Sequence, residues 1–257
     1  MQLQLKEIKK SFGGLQVITG FDMTVESGSL TALIGPNGAG KSTLINIISG
    51  LLKADSGEVH AENTRIDNLP PHEIAKRGIG RTYQIVKGFQ KLSVLENIIA
   101  GQHIQLKAGV LHCLFSLPLS RAEDRQAHER AIELAEFLGL TDYLGRYPGE
   151  LPHGLQSLTQ LARILAGRPK VLLVDEPAAG LNPKEVGKLQ DSLKAVQDQG
   201  VTIIMVEHNI RMVTEIADKA VVLDFGKKLA EGRPEEVSRN PAVIEAYLGR
   251  GFDASTN

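Results

Sequence analysis

Leu30-Thr-Ala-Leu-Ile34, followed at once by Gly35-Pro36-Asn37-Gly38-Ala39-Gly40-Lys41-Ser42-Thr43, is the stretch on which the fold turns. The first five residues carry no polar alternation and read as a buried strand. Of the next nine, the eight from Gly35 to Ser42 fit the phosphate-loop pattern G-x-x-x-x-G-K-[ST] at every fixed position. Glycines there let the backbone fold around an anion with its N–H groups pointing inward, and a helix starting near Lys41 presents its positive dipole end to the phosphates. Lys41 can reach the β and γ phosphates, and Ser42 supplies the hydroxyl that such loops place on Mg²⁺. A glycine-rich turn without a ligand is the bland alternative; four fixed positions between a strand and a helix speak against it. The stretch predicts a bound nucleoside triphosphate with Mg²⁺.

Other short apolar runs, Val171 to Val174, Val201 to Val206 and Ala220 to Leu223, also read as buried strands. Helical periods lie between them. One runs from about Lys41 to Leu51 and another from Pro183 to Gln197, the latter opened by Asn182 as cap and Pro183 in the first turn and closed by Gly200. Such alternation predicts an α/β fold with a mainly parallel sheet. Lys87 to Gly167 differs, with helical stretches at Val94 to Leu106, Arg121 to Leu138 and Ser157 to Ala166 and no convincing strand. This divides the chain into an α/β core (1–86 and 168–248), an inserted helical subdomain (about 87–167) and a polar, frayed tail (249–257). The apolar connection Lys107 to Leu119 is read as packing within that subdomain, the alternative being a partner-binding patch.

With 257 residues, 42% of them hydrophobic, the chain is long enough for a sizeable core. Lys plus Arg (29) nearly balance Asp plus Glu (30), so net charge does not recommend nucleic acid or an anionic membrane as a partner. A lone cysteine, Cys113, allows no internal disulfide and suits a reducing compartment such as the cytoplasm. The N-terminal Met-Gln-Leu-Gln-Leu-Lys-Glu-Ile alternates like an edge strand and lacks the layout of a secretion signal. No apolar run approaches the roughly 18 to 20 residues of a membrane span.

Val171-Leu-Leu-Val-Asp175-Glu176-Pro177 places two adjacent carboxylates at the end of a buried strand. Asp175 can hold the metal, directly or through water, while Glu176 can polarise the water that attacks the γ-phosphate. An acidic strand end at a turn is common by itself; the phosphate loop upstream gives this one a task.

The phosphate loop, the Asp-Glu strand end and His208 after the strand Val201 to Val206 together resemble the ATP-binding-cassette (ABC) family of ATPases, in order and spacing over nearly the whole chain. That resemblance implies a RecA-like parallel-sheet core, an N-terminal antiparallel β region and an inserted helical subdomain. It implies that Gln84, in Arg81-Thr-Tyr-Gln84, touches Mg²⁺ and the attacking water, and that His208 contacts the γ-phosphate. It also implies that Phe12, in Ser11-Phe-Gly-Gly14, stacks on adenine, for which any aromatic ring supplies a flat apolar face. Ala178-Ala-Gly-Leu-Asn182 resembles the family's dimer-interface loop, with Asn182 where many members have Asp.

One segment departs from the family. Its signature, Leu-Ser-Gly-Gly-Gln at the start of a helix, binds the γ-phosphate of ATP held by the opposite subunit. Here the chain reads Leu151-Pro152-His153-Gly154-Leu155. Pro152 lacks the serine hydroxyl and a backbone N–H, His153 adds bulk where glycine admits phosphate, and Leu155 lacks the glutamine amide. A homodimer would carry this defect at both sites. The expectation is therefore a heterodimer with a second cassette ATPase whose signature is intact.

Within the family, Arg81-Thr-Tyr-Gln84, Leu92-Ser-Val-Leu-Glu-Asn97, Pro177-Ala-Ala-Gly-Leu-Asn-Pro183 and Asn240-Pro-Ala-Val-Ile-Glu-Ala-Tyr-Leu-Gly249 look most like the ATPase subunits of bacterial branched-chain amino-acid importers. The resemblance implies two integral membrane permease subunits, indirectly an external solute-binding protein, and a peripheral place on the cytoplasmic face of a bacterial plasma membrane. A cassette for another cargo, such as urea or amides, is the nearest alternative. A soluble ABC-type ATPase usually carries a long coiled coil or two cassettes in one chain, and neither is present. A kinase or GTPase would leave the order of Asp175, Glu176 and His208 unexplained, and the guanine-reading Asn-Lys-x-Asp motif is absent.

Overall fold

In a computed structural model, which describes residues 1–82, 90–104 and 118–252, the chain forms two compact units. One comprises Met1–Arg81, Lys170–Ala179 and Gln190–Asn257, the other Thr82–Pro169 and Gly180–Leu189. Gln84, Cys113 and nearly all of the Lys107 to Leu119 connection lie outside the described residues.

The first unit holds two sheets. Strands β1 (Leu3–Phe12), β2 (Leu15–Val25), β4 (Ser56–Ala61) and β5 (Thr64–Arg65) form an antiparallel sheet in the order β2-β1-β4-β5. Strands β3 (Leu30–Ile34), β6 (Ile79–Arg81), β7 (Val171–Asp175), β8 (Thr202–Val206), β9 (Lys219–Asp224) and β10 (Lys227–Gly232) form the other, in the order β10-β9-β3-β8-β7-β6. All of its pairings are parallel except β10 with β9. Every residue of β3 and β8 is buried, as expected of strands covered on both faces. The N-terminal strand corrects the edge-strand expectation, because β1 pairs with β2 on one side and β4 on the other. Its alternation has another cause: Leu3, Leu5 and Ile8 enter the core while the opposite face stays open.

The parallel register sets the functional edge. Leu33 of β3 lies beside Val206 of β8, and Val206 beside Asp175 of β7. The carboxyl ends of three adjacent strands therefore finish level, and the loops leaving them start side by side. In open α/β sheets this edge is where ligands bind.

The second unit is helical among its described residues. The helix Val94–Ala100 opens with a reciprocal cap between Ser93 and Glu96 and tightens into a 3₁₀ turn at Gly101–Ile104 rather than continuing as an α-helix. It packs against the helices Pro118–Phe137 and His153–Ala166. Gly101 permits that closeness, since a Cβ there would drive into the carbonyl of Arg163. The helix anticipated from Ser157 begins instead at His153, because Pro152 with ψ 152° is already set as its N-cap. At the carboxyl end, helix Pro241–Phe252 runs through Gly249 to Phe252, where a frayed tail was expected.

Candidate functional site

Between β3 and helix α1 (Lys41–Ile48), the loop carries Gly35, Gly38 and Gly40 at φ 148°, 77° and 109°. Gly35 is needed for space as well as conformation, because a Cβ there would drive into the carbonyl oxygen of Leu223. Gly38 faces open space and is required by its backbone angle alone. Gly40 caps α1 in the left-handed conformation. Pro36 and Ala39 are buried, Asn37 and Ser42 exposed, and Thr43 half-buried. The Lys41 ammonium is buried and donates to the carbonyls of Gly35 (2.7 Å) and Pro36 (3.0 Å), folding back over the loop it would serve. The phenol of Tyr247, on helix Pro241–Phe252, is pushed up in pKa by its burial, with the backbone of Gly35 pulling it back.

Asp175 ends β7. Arg81, ending β6, donates to Asp175 Oδ2 at 3.2 Å and also to Asn46 Oδ1 (2.6 Å) and Ser49 Oγ (3.0 Å) of the helix that the phosphate loop starts. Burial raises the Asp175 pKa, and the guanidinium opposes that shift without cancelling it. Glu176 adopts φ 46°, an uncommon angle for a residue with a side chain, and its N–H donates to the carbonyl of Val206 at 2.9 Å. Strain of this kind concentrates at sites where a side chain must be aimed. His208 follows β8 by two residues, with its side chain 59% exposed.

Glu207, between that strand and His208, is a residue sequence reasoning passed over. Its side chain is fully buried. One carboxylate oxygen accepts from the N–H of Ala178 (3.1 Å), the other from the N–H groups of His208 (2.9 Å) and Asn209 (3.1 Å). Nothing in its spacing distinguishes it from an ordinary solvated glutamate before a turn. Phe12 ends β1, 47% exposed, with the Lys10 ammonium 5.5 Å from the ring centroid. Such exposure excludes a core role. The phosphate loop, Asp175, Glu176, His208 and Phe12 all belong to the first unit, while Gln84 lies outside the described residues.

The altered signature lies in the second unit. Leu151 and Gly154 are buried, Pro152 and His153 exposed, and no side chain caps the helix. A Cβ at Gly154 would come within 2.9 Å of the Glu185 carboxylate. Glu185 is held by Asn182: the Asn182 side chain accepts from the N–H of Glu185 (3.1 Å), and Glu185 accepts from the N–H of Asn182 (3.0 Å). Asn182 thus caps the helix Pro183–Asp198 without the charge of an aspartate.

A strand, a glycine loop with an inward lysine, and a helix N-terminus at the carboxyl edge of a parallel sheet define a phosphate-loop nucleotide-binding protein. Comparisons with known proteins narrow the class. Residues 18–179 match the ABC transporter family and residues 227–253 the family "Branched-chain amino acid ATP-binding cassette transporter". The chain is 38% identical over 248 residues to the high-affinity branched-chain amino acid transport ATP-binding protein BraF of Pseudomonas aeruginosa, covering 96% of this chain and 97% of BraF. It is 36% identical to the corresponding protein LivG of Escherichia coli, with the same coverage. The solved ADP conformation of MJ1267, an ATP-binding cassette of an ABC transporter, superposes with a TM-score of 0.85 at 36% identity, covering 97% of this chain and 99% of that one.

The chain belongs to the ABC transporter family as an ATP-binding cassette subunit. Members bind nucleotide, hydrolyse ATP in coupling to transport, and work as subunits of complexes with membrane permeases. No helix among the described residues is long and apolar enough to cross a membrane.

Proposed function

We propose that this chain is the ATP-hydrolysing subunit of a branched-chain amino-acid importer, acting as one half of a heterodimeric ATPase pair. The observation that carries the catalytic part is the level ending of β3, β8 and β7, which brings the phosphate loop, His208 and Glu176 to one edge. Lys41 and the loop N–H groups hold the β and γ phosphates, Phe12 stacks on adenine, and His208 contacts the γ-phosphate. Glu176 orients the attacking water and accepts its proton. Mg²⁺ suits the hard oxygen donors available, the Ser42 hydroxyl and the Asp175 carboxylate, with Gln84 assigned by family resemblance. When bound, the ion neutralises phosphate charge.

The cargo follows from the relatives, BraF and LivG, which are named for branched-chain amino-acid transport. Pro152, His153 and Leu155 support the heterodimer: an exposed proline caps the signature helix where a hydroxyl and a free N–H would meet phosphate. With a companion that has an intact signature, this chain's own phosphate loop is completed, and the companion's site faces the altered one. ATP then acts as a ligand favouring the closed pair, and hydrolysis reopens it. The setting is the cytoplasmic face of a bacterial plasma membrane, with two permeases and an external binding protein.

Affinity purification of the tagged chain from its native membrane tests the assembly. Recovery of two polytopic membrane proteins and a second cassette is expected. Brisk ATPase activity from the purified chain alone would contradict the heterodimer.

A further inference from the structure

Glu207 carries a consequence beyond local folding. Taking a carboxylate out of water costs several kcal/mol unless hydrogen bonds replace the lost hydration, and an apolar residue of similar volume would pack here without that cost. This carboxylate is fully buried and accepts three backbone N–H bonds from two different loops. Ala178 lies two residues past Glu176 on the loop leaving β7; His208 and Asn209 lie on the loop leaving β8. The Glu207 backbone N–H also points to the carbonyl of Leu33 at 3.4 Å, two residues before Gly35.

We propose that Glu207 is a positioning residue for hydrolysis: its carboxylate clasps the loop bearing Glu176 to the loop bearing His208, so that the two side chains meet the terminal phosphate as one body. This rests on the roles given above to Glu176 and His208. The chemistry of the clasp is specific. Three N–H donors converge on two oxygens, which an ionised carboxylate satisfies and a carboxamide does not, because its NH₂ would face an N–H. Reach also matters, since one carboxylate must span both loops.

The test is ATP hydrolysis by the complete transporter carrying E207Q, H208A, E176Q or E207Q with H208A, together with fluorescent-nucleotide binding by each chain. E207Q should lower kcat by about 10- to 100-fold, the scale of a misplaced catalytic group, and leave nucleotide affinity unchanged. The E207Q/H208A pair should lose little more than the worse single variant, because once the clasp is released the His208 side chain no longer meets the phosphate and its removal costs little more; H208A alone keeps the backbone N–H that Glu207 holds. Wild-type kcat in E207Q, or losses that multiply, would overturn the clasp. Amide exchange in the wild-type chain decides the matter even if E207Q folds poorly. The amides of Ala178, His208 and Asn209 should open with one common free energy, and unrelated protection at the two loops would contradict it. An inactive E176Q beside a fully active E207Q defeats this inference alone; an active E176Q defeats the reading beneath it.

Discussion

The guanidinium of Arg81 lies 3.2 Å from Asp175 Oδ2, with the two side chains only 9% and 8% exposed. This pair joins adjacent strands β6 and β7 at the end where the candidate site lies, and Arg81 continues to Asn46 and Ser49 on the helix behind the phosphate loop. Removing one member leaves a buried charge without its partner, which costs about 3 kcal/mol. Arg81→Ala should lower chemical-denaturation stability on that scale. Arg81→Ala with Asp175→Asn should recover part of the loss, since neither member of the pair is then left as an unpartnered charge.

Asp175 also gives metal-nucleotide binding a pH dependence. Burial, only partly offset by Arg81, holds its folded pKa above the ordinary aspartate value of 3.8. The folded chain therefore binds this proton more readily than the unfolded one. Asp175 weakens the fold at neutral pH, and that burden disappears as pH falls through the raised value towards 3.8. A divalent cation beside the carboxylate favours its ionised form. Binding of Mg-ATP should release a proton and tighten as pH rises through the raised pKa, then level off. Calorimetry in buffers of different ionisation enthalpy measures the release, and Asp175→Asn should abolish that component.

Two loop glycines should respond differently to the same substitution. Gly38→Ala meets no atom within 4 Å and bears only the backbone penalty at φ 77°, about 1 to 2 kcal/mol. Gly35→Ala must displace the Leu223 carbonyl, which belongs to strand β9. Thermal melts should show a modest loss for the first and failure to accumulate folded chain for the second.

Restoring the signature tests the asymmetry proposed for the dimer. The combined change Pro152→Ser, His153→Gly and Leu155→Gln returns a cap hydroxyl, a free N–H and an amide to a helix that has no side-chain cap. ATPase activity of the purified chain alone should rise, with cooperative dependence on protein concentration. Unchanged activity would mean that these positions do not limit self-pairing.

Much of the site could be read from local pattern because its residues lie at the ends of apolar runs. Gly35 to Thr43, Asp175-Glu176 and His208 each follow a strand buried on both faces, where periodicity is plain. β5 spans only Thr64–Arg65 and β6 only Ile79–Arg81, too short to show a period, so neither strand was visible. The same brevity hid Arg81, which becomes significant only when β6 pairs with β7 and faces Asp175. Glu207 was hidden for a different reason. A glutamate before a histidine reads as solvated until three N–H groups from separate loops converge on it. The N-terminal alternation marks a strand but not its place in the sheet, because alternation reports one open face and says nothing about pairing on either side.

The central claim is that the phosphate loop, Asp175, Glu176 and His208 form a catalytic ATP half-site, and Glu176→Gln in the assembled transporter tests it most directly. Exchange of one oxygen for NH₂ keeps the shape and removes the proton acceptor. Hydrolysis should fall to background while Mg-ATP affinity is retained and the nucleotide-bound pair accumulates. Continued turnover at the wild-type rate would contradict the account.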